Sequence, residues 1–240
     1  MECLEVGARR LGLAMTPQKM WKFRQYQEEL LSWNQRVNLT AITNPSEIAR
    51  FHFLDSLTVS LALTEASCTG GNICDVGSGA GFPGIPLKLM FPGMRLTLID
   101  STAKRTRFLN SLIETLGLKE VYVHTGRCED LGHEGTLRES FDVVVSRAVA
   151  SLSVMAELAL PFCRLGGRIV LQKKGDIREE LAQARFAFGQ LGGRLVKVEP
   201  VPTEILDGQR VLTVVQKTVA TPLMYPRRPG VPRKRPLKNS

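Results

Sequence analysis

An α/β fold built on a doubly wound, mostly parallel sheet is predicted by three observations on this 240-residue chain. From Asn72 onward, short apolar runs alternate with stretches of helical period, the mark of repeated strand–helix–strand units. The run Ile73-Cys74-Asp75-Val76-Gly77-Ser78-Gly79-Ala80-Gly81-Phe82 carries an apolar strand into a turn of alternating glycines. One unit later, Ile99-Asp100 ends the next apolar run. Glycines serve where the backbone turns sharply and a ligand lies against bare main chain. A carboxylate at the end of the second strand can accept hydrogen bonds from both hydroxyls of a ribose. Together these features predict a nucleoside cofactor at the carboxyl edge of the sheet.

The elements follow in order. Thr16-Pro17 opens a first helix, with a capping oxygen before a proline at the first helical position. Met20, Phe23, Gln27, Leu30, Leu31 and Asn34 continue it at helical spacing. Asn44-Pro45-Ser46-Glu47 is a capping-box pattern with Asn at the cap, and it predicts a second amphipathic helix over 48–63. Residues 1–70 therefore read as a helical cap, joined through Cys68-Thr69-Gly70-Gly71 to a sheet domain over 71–220. Seven strands are expected at 72–76, 94–100, 120–124, 141–146, 167–172, 194–199 and 211–217, the last two as an antiparallel hairpin. Helices are expected near 84–91, 102–116, 151–162 and 175–190, punctuated by Gly117, Gly166-Gly167 and Gly192-Gly193. From Thr221 onward five prolines predict an extended, poorly ordered tail over 221–240.

Composition narrows the function classes. A hydrophobic content of 43% and a charged content of 23% suit a soluble globular protein. No apolar run approaches the ~18 residues of a membrane span. No apolar signal region follows Arg9-Arg10, so a cytoplasmic protein is expected, and a monomer. Five cysteines without a Cys-x-x-Cys pair and three scattered histidines argue against a disulfide framework or a metal site. The formal net charge is +9, and Arg227, Arg228, Arg233, Lys234, Arg235 and Lys238 crowd a final stretch without acids. Such a tail suits a polyphosphate partner through counterion release, or is simply a solvated terminus.

A literal Gly-x-Gly-x-x-Gly occurs at Gly79, Gly81 and Gly84, the pattern of dinucleotide-binding turns. Here Gly77 already begins the turn, and Pro83 and Pro86 crowd Gly84, so the helix is expected to start late. A pyrophosphate sits poorly beside Asp75, whereas the sulfonium and amino group of S-adenosylmethionine tolerate it. The plainer alternative for Asp75 is a buried strand-end residue that bonds the loop amides.

Several segments together resemble one family. Trp33-Asn34, Val37-Asn38-Leu39-Thr40, His52-Phe53-Leu54-Asp55-Ser56 and the run from Asp75 through Pro86 resemble the RsmG family, also called glucose-inhibited division protein B. Asp100-Ser101, Lys104-Arg105, Ser146-Arg147-Ala148, Lys174-Gly175 and the run from Tyr225 to Pro232 extend the resemblance over essentially the whole chain. It implies a class I S-adenosylmethionine-dependent methyltransferase fold with one antiparallel strand, and methylation of N7 of a guanine in 16S rRNA or a small-subunit precursor; the alternatives are a methyltransferase acting on another RNA or a small molecule, or a noncatalytic RNA-binding assembly factor. By matching positions it implies that Gly77 and Phe82 contact the cofactor from the first loop, where the glycine turn itself already places Asp75, Gly79 and Gly81. Asp100, Ser101 and Thr102 then meet the ribose, and Cys128 and Glu129 flank the adenine. Arg147 faces the methionine end or the incoming base and is the candidate for orienting guanine O6; a structural salt bridge is the alternative. Arg36, Lys173, Lys174, Arg227, Arg228, Arg233, Lys234 and Arg235 are candidates for holding RNA phosphates, or are solvated charges. Glu129-Asp130 has an acidic turn as its alternative, and His52 a packed, hydrogen-bonded role.

The chemistry is consistent with these residues. Guanine N7 carries an in-plane lone pair and no proton, so alignment with the methyl donor is sufficient and no general base is required. Ser146-Arg147-Ala148 lacks the Asn-Pro-Pro-Tyr pattern of many amino-group methylases, and no suitably placed cysteine pair supports attack on a pyrimidine.

Overall fold

The computed structural model describes residues 1–147 and 150–239; Ala148, the end of the Ser146-Arg147-Ala148 motif, lies outside them. Helices α1 (Glu2–Arg10) and α2 (Pro17–Val37) begin the chain. The first was not legible from apolar spacing, but its charges suit the helix dipole: Glu2 and Glu5 in the first turn, Arg9 and Arg10 in the last. Thr16 caps α2 by accepting the Lys19 amide, as its sequence predicts.

The helix expected over 48–63 is broken into short pieces. Asn44 caps α3 (Pro45–Ile48), a π-helical turn runs over Ala49–Leu54, and α4 (Asp55–Leu57) and a 3₁₀ turn (Thr58–Ala62) follow. Hydroxyls compete for the backbone here. Ser56 Oγ donates to the His52 carbonyl at 2.6 Å, and Thr58 Oγ1 to that of Asp55 at 2.7 Å. Such π-turns recur at functional sites because they re-aim side chains; this one carries His52 and leads into Asp55. The linker expected at Cys68-Thr69-Gly70-Gly71 is largely the end of helix α5 (Glu65–Gly70).

The remaining elements alternate as expected: β1 (Asn72–Val76), α6 (Gly84–Met90), β2 (Arg95–Asp100), α7 (Ala103–Thr115), β3 (Val121–Thr125), α8 (Cys128–Leu131), β4 (Phe141–Ser146), α9 (Leu152–Ala159), β5 (Cys163–Lys174), α10 (Arg178–Gln190), β6 (Gly193–Pro200), β7 (Arg210–Lys217) and α11 (Val231–Lys234). They form one seven-stranded sheet in the order β3-β2-β1-β4-β5-β7-β6. β7 runs antiparallel to both its neighbours, so the terminal hairpin is present. Several boundaries moved, among them the start of α10, now at Arg178. α9 stops at Ala159 because Pro161 cannot continue it. β5 begins at Cys163 because Phe141 pairs there before the register shifts to Val143–Arg168.

Alternation along β1 divides the core. Ile73 faces a cluster shared with the N-terminal helices, including Leu4, Phe23, Tyr26, Phe53, Phe82 and Leu109. Cys74 and Val76 face a second cluster with Leu152, Phe162, Ile169 and Phe188 beneath α9 and α10. The segment 1–70 thus packs into the same core as one face of the sheet. The strand order reverses between β1 and β4, which opens a crevice outside their carboxyl ends.

The tail differs from its expectation. Tyr225 and Pro226 are buried, and residues 231–234 form α11. Proline and charge content alone read as disorder; here a buried acid, Glu157, holds the segment down through Arg227.

Candidate active site

Two cavities meet at Arg147, just past the end of β4. The smaller, about 290 Å³, is lined by Val76, Gly77, Asp100, Ser101, Arg105, Arg127, Cys128, Glu129, Arg147, Met155, Leu158, Gly230 and Arg233. The larger, about 470 Å³, is lined by Ile42, Phe51, His52, Asp55, Arg147, Gln172, Lys173, Lys174 and Arg210.

In the smaller cavity the loop after β1 presents backbone. Gly77 has φ 75°, a left-handed conformation that favours glycine, and open space where a Cβ would point. Its amide donates to Ile99 O at 2.9 Å, which locks the turn to β2. The Asp100 carboxylate is aimed by two amides: Gly79 donates to Oδ2 at 2.9 Å and Thr102 to Oδ1 at 2.8 Å. Arg105 stands 3.5 Å from Oδ2. Each carboxylate oxygen has a second lone pair for a further donor. Cys128 is a protonated thiol, its pKa pushed up to about 12 by burial and by the nearby Glu129 and Asp100 charges.

Of the residues expected around the cofactor, Gly77, Asp100, Ser101, Cys128, Glu129 and Arg147 line this cavity. Asp75, Gly79, Gly81, Phe82 and Thr102 are not among the lining residues. Gly79 and Thr102 act on Asp100 through their amides. Gly81 packs under Tyr26, whose hydroxyl would lie 2.7 Å from an added Cβ. Phe82 lies at the centre of an aromatic group: its ring stacks on His52 at 4.6 Å and Tyr26 at 5.4 Å, and the Arg147 guanidinium sits 4.7 Å from its centroid.

Asp75 takes the plainer of its two roles. It is fully buried, and its Oδ2 accepts the Gly84 amide at 2.8 Å while Oδ1 has no hydrogen-bond partner. Burial raises its pKa to about 7, against the Gly84 hydrogen bond and the Arg147 charge, which lower it. Gly84 lets α6 approach this strand, since an added Cβ would lie 2.8 Å from both Asp75 Oδ2 and Leu98 Cδ2. That is the close helix–strand packing served by the third glycine of dinucleotide-binding turns, so the Gly79, Gly81, Gly84 spacing serves packing here.

Arg147 is held from the cap. Its Nη1 donates to Phe51 O at 3.1 Å and to Asp55 Oδ2 at 3.3 Å, and its Nη2 lies 3.3 Å from His52 Nδ1. His52 Nε2 is 2.7 Å from Thr40 Oγ1. Burial and the Arg147 charge lower the His52 pKa to about 4, so the ring is neutral at pH 7. Asp55 Oδ1 also accepts from Gln172 Nε2 at 2.9 Å and Arg210 Nε at 3.1 Å. Burial raises the Asp55 pKa against the pull of Arg147 and Arg210. Asn34, flagged in the sequence, accepts the Leu39 and Thr40 amides through Oδ1 and so shapes the loop before Thr40. Asn38 closes α2 in a left-handed conformation.

Sequence reasoning missed Asp55, Gln172 and Arg210 as a unit, because they come from three distant segments. The signal available was Asp55 within the His52-to-Ser56 motif.

The cations expected to face RNA separate into two groups. Arg36, Lys174, Arg228, Arg233, Lys234 and Arg235 are exposed. Lys173 is paired with Glu180 at 2.8 Å and donates to Ala150 O at 2.9 Å, and Arg227 is paired with buried Glu157 at 2.6 Å.

Comparison with known proteins agrees with this architecture. A mutant of MtNAS solved in complex with S-adenosylmethionine shares the fold at a TM-score of 0.55 and 18% identity, over 84% of this chain and 76% of that one. A putative O-methyltransferase from Klebsiella pneumoniae does so at a TM-score of 0.53 and 15% identity, over 81% and 90%. Sequence relatives are much nearer. The ribosomal RNA small subunit methyltransferase G of Dehalococcoides mccartyi is 42% identical over 99% of this chain and 100% of its own length. The protein of that name from Roseiflexus sp. (strain RS-1) is 44% identical over the same shares. The family model described as rRNA small subunit methyltransferase G matches residues 19–207. With relatives of this identity along essentially its full length, the chain belongs to the rRNA small subunit methyltransferase G family, as its motifs lead one to expect.

Proposed function

We propose that this protein transfers a methyl group from S-adenosylmethionine to N7 of a guanine in small-subunit rRNA, with the cofactor in the smaller cavity and the guanine in the larger. The observation that carries the proposal is Arg147, which lines both cavities from one fixed position. The smaller cavity fits the cofactor's adenosine: Asp100 offers paired acceptors to a ribose, Gly77 leaves bare backbone, and Val76, Met155 and Leu158 supply apolar wall. When bound, S-adenosylmethionine supplies an electrophilic methyl group on a sulfonium.

The chain's own residues then orient the acceptor. Guanine N7 brings its own lone pair, so no side chain has to remove a proton, and alignment lowers the barrier. Arg147, anchored on Asp55 and Phe51 and supported by the Phe82 ring, is assigned to guanine O6. A donor fixed there holds the base in the orientation that points the N7 lone pair at the methyl carbon, so its contribution is alignment. Neutral His52 acts as a positioning group on Arg147 and Thr40.

In duplex RNA, N7 lies in a deep, narrow groove that side chains barely enter. The target guanine is therefore in a loop or displaced from its stack. Lys174 at the larger cavity, Arg36, and the exposed cations Arg228, Arg233, Lys234 and Arg235 hold the surrounding phosphates.

The test is methyl transfer from labelled cofactor to undermethylated small-subunit RNA, followed by nuclease digestion to nucleosides. Label in 7-methylguanosine is the expected result. Label in another nucleoside would refute the N7 assignment, and no label would refute the activity.

A further inference from the structure

Residues 225–235 lie beyond the span matched by the family model, yet two of them, Gly230 and Arg233, line the smaller cavity. We propose that this segment is a fixed strap forming one wall of the adenosine pocket, with Arg227 and Gly230 as positioning residues for the cofactor. The inference rests on the cofactor reading above and adds residues to it.

The strap is latched at four points along its length. Arg138 Nη1 donates to Tyr225 O at 2.9 Å, and His133 Nε2 lies 2.8 Å from Pro226 O. The amide and Nε of Arg227 both donate to Glu157 Oε1, at 2.9 and 2.8 Å, and its Nη2 donates to Oε2 at 2.6 Å. The Gly230 amide donates to Glu129 Oε1 at 3.0 Å. Glu157 is 0% exposed, on a helix otherwise apolar or small in sequence. Lifting the strap would break the three charge-assisted hydrogen bonds that Arg227 gives this carboxylate, which is strongly unfavourable. The docked arrangement is therefore the ground state.

Docking shapes the pocket through Glu129. This carboxylate is buried in the first turn of α8, just after β3, on the side expected to meet adenine. The Gly230 amide pins one of its oxygens and so fixes the direction in which the carboxylate faces the cavity. Gly230 has φ 81°, a left-handed conformation that favours glycine. The strap's contribution is thus to the cofactor, while its exposed cations Arg228, Lys234 and Arg235 remain available to phosphate.

Two measurements test this on the full chain. Titration of S-adenosylmethionine into Arg227→Gln should show affinity reduced about tenfold, the loss of a charge-assisted hydrogen-bond set. Steady-state assays should place that loss in KM for the cofactor, with kcat and KM for RNA unchanged, and Arg227→Lys should recover part of it. Amide hydrogen exchange on the unmutated chain covers the case in which the variant fails to fold. Saturating cofactor should slow exchange over residues 225–235 by about tenfold or more, since a ligand suppresses the opening of the wall it contacts. Unchanged exchange there on saturation, or a folded Arg227→Gln with normal cofactor affinity, would overturn the proposal. An unmutated chain that binds no S-adenosylmethionine would remove the cofactor reading itself, and this inference with it.

Discussion

Asp75 and Asp100 lie in the carboxyl-terminal parts of neighbouring strands and are both buried, yet they occupy opposite environments. Asp100 sits at the cavity with each oxygen engaged by one loop amide, ready for further donors. Asp75 lies beneath α6, holding the Gly84 amide with one oxygen and nothing with the other. The difference comes from strand parity and position. In β1 the side chain of residue 75 shares the face of Ile73, under the cap, whereas Asp100 is the last residue of β2 and looks out over the carboxyl edge. A carboxylate near a glycine loop is therefore not a ligand contact by proximity alone; the face it occupies decides.

The largest effect that sharpens this contrast is on cofactor affinity. Asp100→Ala should weaken S-adenosylmethionine binding about a hundredfold, the equivalent of two charge-assisted hydrogen bonds, as read by calorimetry. Asp75→Asn should leave that affinity within about twofold. Equal losses in both variants would erase the distinction between the two acids.

Of equal size, but in rate and not affinity, is the effect at Arg147. Arg147→Met should lower kcat about a hundredfold, the scale of losing the alignment of the acceptor base. Cofactor affinity should change far less, because the proposed arrangement gives the ribose end to Asp100 and Gly77, which line the smaller cavity. A loss confined to cofactor binding would move Arg147 from the base to the methionine end.

The third effect is on stability. Asp75 has a folded pKa raised to about 7, so its contribution is fully present below its ordinary carboxylate pKa of 3.8 and is lost as pH rises to about 7. His52 is depressed from 6.5 to about 4, so its contribution is present above 6.5 and is lost as pH falls to about 4. The two slopes oppose each other across a shared window. Asp75→Asn removes one of them, so urea unfolding of that variant should show stability shifted toward a rise with pH between about 4 and 6.5 relative to the unmutated chain, by at most about 1.4 kcal/mol per pH unit. A variant with the same pH dependence as the unmutated chain would contradict the burial of a titrating Asp75.

The smallest effect concerns the strap's exposed charges. Replacing Arg228, Lys234 and Arg235 with Ala should reduce the slope of log K for RNA against log salt by up to about 2, at roughly 0.7 per lost phosphate contact. Cofactor affinity should stay unchanged, because none of the three lines the smaller cavity. An unaltered slope would give these cations no contact with phosphate.

What the sequence disclosed follows the range of its interactions. The glycine turn and Asp100 were legible because their partners lie one strand–helix–strand unit apart. The sheet was legible through its alternating runs. The Arg147–Asp55–Arg210 group was not, because only the folded chain brings residues 55, 147 and 210 together. The broken second helix was hidden because its apolar spacing still looked regular while Ser56 and Thr58 diverted the backbone. The strap was misread because proline and cations resemble a solvated tail. The signal against that reading was Glu157, a lone acid in the run Leu-Ser-Val-Met-Ala-Glu-Leu-Ala, which needed a cation from elsewhere in the chain.

The most direct test of the account is a crystal structure of the complex with S-adenosylhomocysteine. It should show both ribose hydroxyls within hydrogen-bond reach of Asp100, adenine between Glu129 and Met155, and sulfur directed toward Arg147 and the larger cavity. A ribose bound away from Asp100, or a nucleoside lodged in the larger cavity alone, would contradict it.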